Sequence, residues 1–107
     1  MRIADAIVVP TIVLCELVWV LKRAYRYAGP EIIGILRRLV AVRALELERP
    51  AAEAGIAMLA RAGDFADGVV RHEADRAKCD RLVTLDRGFA RYLRPDKVVL
   101  LGTRPAR

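Results

Sequence analysis

The sequence predicts an α/β domain in which helices flank a parallel sheet. Short apolar runs of strand length, "IVV" at Ile7–Val9, "RLVTLD" and "KVVLL", alternate with stretches of helical periodicity, and that alternation is the signature of strands joined by helical crossovers. The composition agrees, with 55% hydrophobic residues, 30% charged and only 6% aromatic, as in a globular chain with an aliphatic core. With 107 residues the chain is read as one domain spanning 1–107, without repeats or linkers.

Taken in order, Ile7–Val9 is a short extended piece closed by Pro10. A helix is expected from Thr11 to Tyr27, because Leu14, Leu17, Val18, Leu21 and Tyr25 fall at the i, i+3, i+4, i+7, i+11 spacing of one face. Gly29-Pro30 ends it and starts a second helix, Glu31 to Arg43. There Ile32, Ile35, Leu36 and Leu39 point inward, while Arg37, Arg38 and Arg43 point to solvent. "ALELE" alternates apolar and acidic residues as a half-buried strand does.

Pro50 opens an Ala-rich helix to Ala62, with Ile56 and Leu59 facing the core and Gly63 as its stop. "DFADGVVRHEADRAK" is the next helix. "RLVTLD" is a strand ending in Asp86, "RGFARYL" a short helix and "KVVLL" the last strand.

Lys and Arg outnumber Asp and Glu by 19 to 13, a net charge of +6 that suits a polyanionic partner, nucleic acid before a membrane surface. Cys15 and Cys79 form no C-x-x-C pair and read as reduced, buried thiols of a cytoplasmic protein. The apolar run from Ala6 to Leu21 is broken by Pro10, Thr11 and Glu16 and is too short for a membrane span. A serine nucleophile is excluded, since the chain has no serine; its one histidine, His72, reads as a surface or supporting residue.

The carboxylates carry the chemistry. Glu16 lies about 160° around the helix from the Leu14/Val18/Leu21 stripe, between Ile12, Trp19 and Val20. A glutamate enclosed there would have to be protonated, paired with a cation or bound to a metal ion; the plainer alternative is an ion pair with Arg23 or a partly exposed side chain. Asp64 and Asp67 stand i, i+3 at a helix start, where they serve either as a cap and first-turn acid or as a pair of ligands on one face. Asp86 follows an apolar strand and so falls at the carboxyl edge of the sheet, where open α/β sheets bind ligands. Together these four form an oxygen-only set of the kind Mg²⁺ or Mn²⁺ prefers, and they are expected to converge on one site.

"VVPTIVLCELVWVLKRAYRY", "DFADGVV" and "LVTLDRGFAR", in this order and spacing, resemble the PIN-domain ribonucleases, specifically the VapC-type toxins of bacterial toxin–antitoxin pairs. The resemblance implies a PIN-like, Rossmann-like domain that hydrolyses RNA with Mg²⁺ or Mn²⁺. Glu16, Asp67 and Asp86 would be its catalytic metal ligands. Asp64 would be a further ligand, and Thr84, beside Asp86, would support the ligands without binding the ion. It also implies a VapB-type antitoxin partner, a homodimer and no membrane association.

Family members begin with a strand bearing "D-T-N", whereas this chain opens with "MRIADAIVVP". The expectation is therefore an N-terminally truncated domain without the first strand and its aspartate, a role Asp5 is misplaced to fill. Such a chain would be a weak or inactive nuclease that still binds Mn²⁺. The alternative is a non-catalytic PIN domain that keeps its dimerisation or antitoxin-binding surfaces. Trp19 and Tyr25 read as core or dimer-interface residues. Arg37, Arg38, Arg71, Arg76, Arg87 and Arg91 are either solvated or line an RNA path.

Overall fold

The computed structural model describes residues 7–78, 82–84, 87–91 and 93–101. The chain runs β1 (Ile7–Val8), α1 (Thr11–Arg23), α2 (Gly29–Ala41), β2 (Leu45–Glu46), α3 (Arg49–Ala60), α4 (Phe65–Arg76), β3 (Leu82–Thr84), α5 (Arg87–Ala90) and β4 (Val98–Leu100), with a 3-10 turn at Pro95–Lys97. Both strand pairings are parallel, as the alternation predicts. β1 pairs with β2 across the α1–α2 crossover in the register Ile7↔Leu45, and β3 pairs with β4 across α5 in the register Val83↔Val99. Among the described residues these are two two-stranded sheets rather than one.

The core is aliphatic. Leu14, Val18 and Leu21 of α1, Ile32 and Leu36 of α2, Ala51, Ala52, Ile56 and Leu59 of α3, and Phe65 and Val69 of α4 form one buried cluster. The expected stripe on α1 fails only at its last member, since Tyr25 is 63% exposed. The cause is the helix end. α1 stops at Arg23, four residues before the expected boundary, because Arg26 takes a left-handed backbone conformation (φ 56°) and Tyr27 turns its N–H back to the Leu21 carbonyl at 3.0 Å. The reversed chain is caught by Glu31, whose Oε1 accepts the Ala28 N–H at 2.8 Å and fixes the start of α2.

α2 ends at Ala41 rather than Arg43 and would leave carbonyls unpaired there. Arg49 reaches back to fill that need. Its Nε donates to the Val40 carbonyl at 3.1 Å, and its Nη2 donates to those of Val42 and Leu45 at 3.0 and 3.1 Å. One guanidinium thus ties the end of α2, the start of β2 and the first turn of α3 together.

α3 closes in a different way from the expected glycine stop. The left-handed residue is Ala62 (φ 63°), not Gly63. Ala62 N–H bonds Leu59 O at 3.0 Å and Gly63 N–H bonds Met58 O at 2.8 Å, the paired bonds of a Schellman end with Gly63 in its second outer position. Glycine is required at 63 for space, because a Cβ would sit 2.6 Å from the Met58 sulfur.

Among the described residues α3 and α4 make the most extensive helix contact, and small residues permit it. Gly68 of α4 faces the backbone of Ala54 and Gly55, where a Cβ would fall 2.9 Å from Gly55 Cα, and Gly55 in turn leaves room for the Phe65 ring. Phe65 is 1% exposed, and burying it contributes roughly 2–3 kcal/mol. This close helix pair fixes where α4 begins, and with it where Asp64 and Asp67 stand.

Candidate active site

Glu16 sits in the middle of α1, opposite the buried stripe, as its position on the helical wheel requires. It is not enclosed. Ile12 is 67% exposed and Trp19 61%, Val20 lies at the surface, and the Glu16 side chain itself is exposed. The expected Arg23 pairing is also absent, because Arg23 instead lays its guanidinium over the Trp19 ring, 5.8 Å from the centroid. Among the described residues the Glu16 carboxylate has no ion pair or hydrogen bond. The apolar residues around it line an open groove of about 430 Å³, formed by Cys15, Glu16, Trp19 and Val20 of α1 and by Ala66 of α4. Trp19 is therefore not a core residue, and neither is Tyr25.

Ala66 lies between the two aspartates of α4. Asp64 occupies the N-cap position with extended backbone (φ −96°, ψ 136°), and its carbonyl accepts the N–H groups of Asp67 at 3.1 Å and Gly68 at 3.3 Å. Its carboxylate makes no capping bond, so the expected side-chain cap is not formed and the group remains exposed. Asp67 is half-buried in the first turn, where its charge suits the positive end of the helix.

Cys15 reports on how closely α1 and α4 approach. It is half-buried rather than buried, and its thiol is pushed above its ordinary value of 9.0 by burial first, then by the Asp64 and Glu73 carboxylates. Asp64 and Glu73 thus both act on the residue next to Glu16. Glu73 was not singled out from the sequence, although the signal exists: Ala66, Val70 and Glu73 fall at i, i+4, i+7 and so share the face that adjoins α1. A raised thiol pKa means a protonated thiol, so Cys15 should alkylate slowly with iodoacetamide in chelator at pH 8.5. Asp64→Asn removes one of the two opposing charges and should speed the reaction about twofold, while burial keeps it well below the rate of a free thiol. An unchanged rate would separate Asp64 from this groove. By linkage, Cys15 contributes stability that is present below pH 9.0 and is lost as the pH rises through its higher folded-state value.

Among the described residues, no three carboxylate, imidazole or thiol side chains come near enough to hold one metal ion. Asp86 lies outside the described residues, as do Asp5 and Cys79, and Thr84 stands at the end of β3. Glu16, Asp64 and Asp67 are therefore not gathered into one ligand group: Glu16 lines the groove with Ala66, Asp64 acts on the neighbouring Cys15, and a site shared with Asp67 and Asp86 stays a proposal. The donor set is nonetheless carboxylate oxygen throughout, the chemistry that suits Mg²⁺ or Mn²⁺.

No helix among the described residues is long and apolar enough to cross a membrane. Neither curated proteins nor solved structures gave a significant match to the chain. The family model for the PIN domain, whose members are commonly nucleases and typically bind divalent metal ions, matches residues 1–94. That span includes α1, the start of α4 and the end of β3, and the chain belongs to the PIN domain family.

Proposed function

We propose that the chain is a VapC-type endoribonuclease, a single cytoplasmic domain that hydrolyses RNA phosphodiester bonds with Mg²⁺ or Mn²⁺. Glu16, Asp67 and Asp86 would hold the cation with Asp64 assisting, and Thr84 would support Asp86. The observation that carries this reading is Glu16. An exposed carboxylate with no cation of its own among the described residues stands in a groove shared with the helix turn that carries Asp64 and Asp67. When bound, the cation would supply positive charge at the scissile phosphate and a more acidic water. The chain's own part is to concentrate negative charge at the groove, while its +6 net charge draws the polyanion to the surface.

The exposed apolar side chains Ile12, Val13, Trp19 and Val20 on α1 support a protein partner over this groove, a VapB-type antitoxin or a second copy. A second reading has one observation in its favour. Without three convergent ligands among the described residues, the chain could be a non-catalytic PIN domain that retains this partner surface. Incubating purified protein with single-stranded RNA separates the two. Cleavage that requires Mg²⁺ or Mn²⁺ and stops in chelator is the expected result; intact RNA under both conditions would favour the non-catalytic reading.

A further inference from the structure

Sorting the arginines by what each one touches leaves Arg26, Arg38, Arg43, Arg87 and Arg91 without a side-chain ion pair or hydrogen bond among the described residues. Arg37 faces Glu53 at 3.6 Å, Arg76 faces Glu48 at 3.8 Å and Arg94 faces Asp96 at 3.3 Å. Arg49 is committed to backbone carbonyls, Arg23 covers Trp19, and Arg71 lines a cavity that also contains Asp75. Of the five without such a partner, Arg87 and Arg91 line one cavity together. Both are exposed, they stand four residues apart on α5 and the turn that follows it, and among the described residues neither has an ion pair or hydrogen bond.

They also share one surface. Both line an open cavity of about 770 Å³ whose other described lining, Gly88, Ala90, Leu93, Pro95 and Val98, carries no charge. Two cations with no carboxylate partner among the described residues, over an apolar floor, repel each other unless an anion sits between them. Four residues on a helix correspond to about one 5.4 Å turn, so the two guanidinium groups can reach the same phosphate or two neighbouring ones. A guanidinium offers a phosphate two parallel N–H donors, a match that an ammonium group lacks. The side chains of Leu93, Pro95 and Val98 on the floor carry no negative charge to repel the strand.

We propose that this cavity is a backbone-phosphate track for single-stranded RNA, with Arg87 and Arg91 as positioning residues. The proposal rests on the nuclease reading above, because Arg87 directly follows Asp86 in sequence. Held there, the strand would enter the site in a fixed register without any base being read.

Salt dependence of binding tests this in chelator, with the full chain and a single-stranded RNA oligonucleotide. Each lost phosphate contact lowers the slope of log K against log salt by about 0.7, so Arg87→Ala with Arg91→Ala should lower it by about 1.4. The double variant's loss of affinity should then be about sevenfold larger at about 50 mM than at about 200 mM salt. Arg91→Ala alone should show half the change in slope. Arg37→Ala, which removes an arginine already paired with Glu53, should leave the slope unchanged. RNA binding that persists in the double variant with an unaltered slope would overturn the phosphate track and leave the nuclease reading standing. No RNA binding by the unsubstituted chain would overturn the nuclease reading, and this proposal with it.

Discussion

Glu16→Gln is expected to lower metal-dependent RNA cleavage by at least about 100-fold, roughly 2.7 kcal/mol of transition-state stabilisation, while leaving the fold intact. Both halves of that expectation come from the position of Glu16. The side chain is exposed and has no partner among the described residues, so neutralising it breaks no contact. Substitutions at such surface sites usually change stability by no more than about 0.5 kcal/mol. The groove it lines with Ala66 would nonetheless lose a charged oxygen, and a cation held by fewer carboxylates is held more weakly. Single-turnover cleavage beside a thermal melt checks both halves. Unchanged cleavage would remove Glu16 from the site, and a large loss of stability would give it a structural role instead.

The second large effect is on stability. Gly68→Ala should destabilise the chain by about 2–3 kcal/mol, as overpacking a close contact does. For a chain of this size that is a fall of roughly 10–20 °C in Tm. The added methyl would meet backbone, the Ala54 carbonyl and Gly55 Cα, and backbone in a packed helix cannot swing aside as a long side chain can. α4 must therefore move off α3, carrying Asp64 and Asp67 away from α1, so cleavage should fall with stability. Gly34→Ala is the control. Nothing lies within 4 Å of a Cβ built there, and the gain in helix propensity should stabilise α2 by up to about 1 kcal/mol. If both alanines shift Tm alike, the close α3–α4 contact does not hold.

Much of this arrangement is legible in the sequence, and the parts that are not share a cause. The inward faces of α1 and α2 follow from periodicity alone, as Leu14, Val18, Ile32 and Leu36 show. Helix ends are less legible because backbone reversals decide them. Arg26 and Ala62 take left-handed conformations that composition does not favour, and the evident glycine, Gly63, serves one position further on. The surroundings of Glu16 fail for a related reason. A helical wheel shows which residues share a face but not whether another element covers it, and here that face is open. The α3–α4 contact does carry a sequence signal, since a glycine inside a helix, as at 55 and 68, usually marks close packing. The candidate site is legible in the sequence only as a set of carboxylates, Glu16 within a helix, Asp64 and Asp67 at a helix start and Asp86 after an apolar run. The structure sets Glu16 in a groove with Ala66 of α4 and Asp64 and Glu73 near enough to act on Cys15, but it gathers no three ligands among the described residues, and Asp86 lies outside them.

The central claim is that the carboxylates of α1 and α4 contribute to a single divalent-cation site. Titrating Mn²⁺ into the metal-free chain, followed by electron paramagnetic resonance, tests it without relying on turnover. The account predicts one saturable site with a Kd of about 1 mM, near −4 kcal/mol, that weakens beyond detection in Glu16→Gln and again in Asp67→Asn. Binding that never saturates in the unsubstituted chain, or a site that neither substitution disturbs, would contradict it.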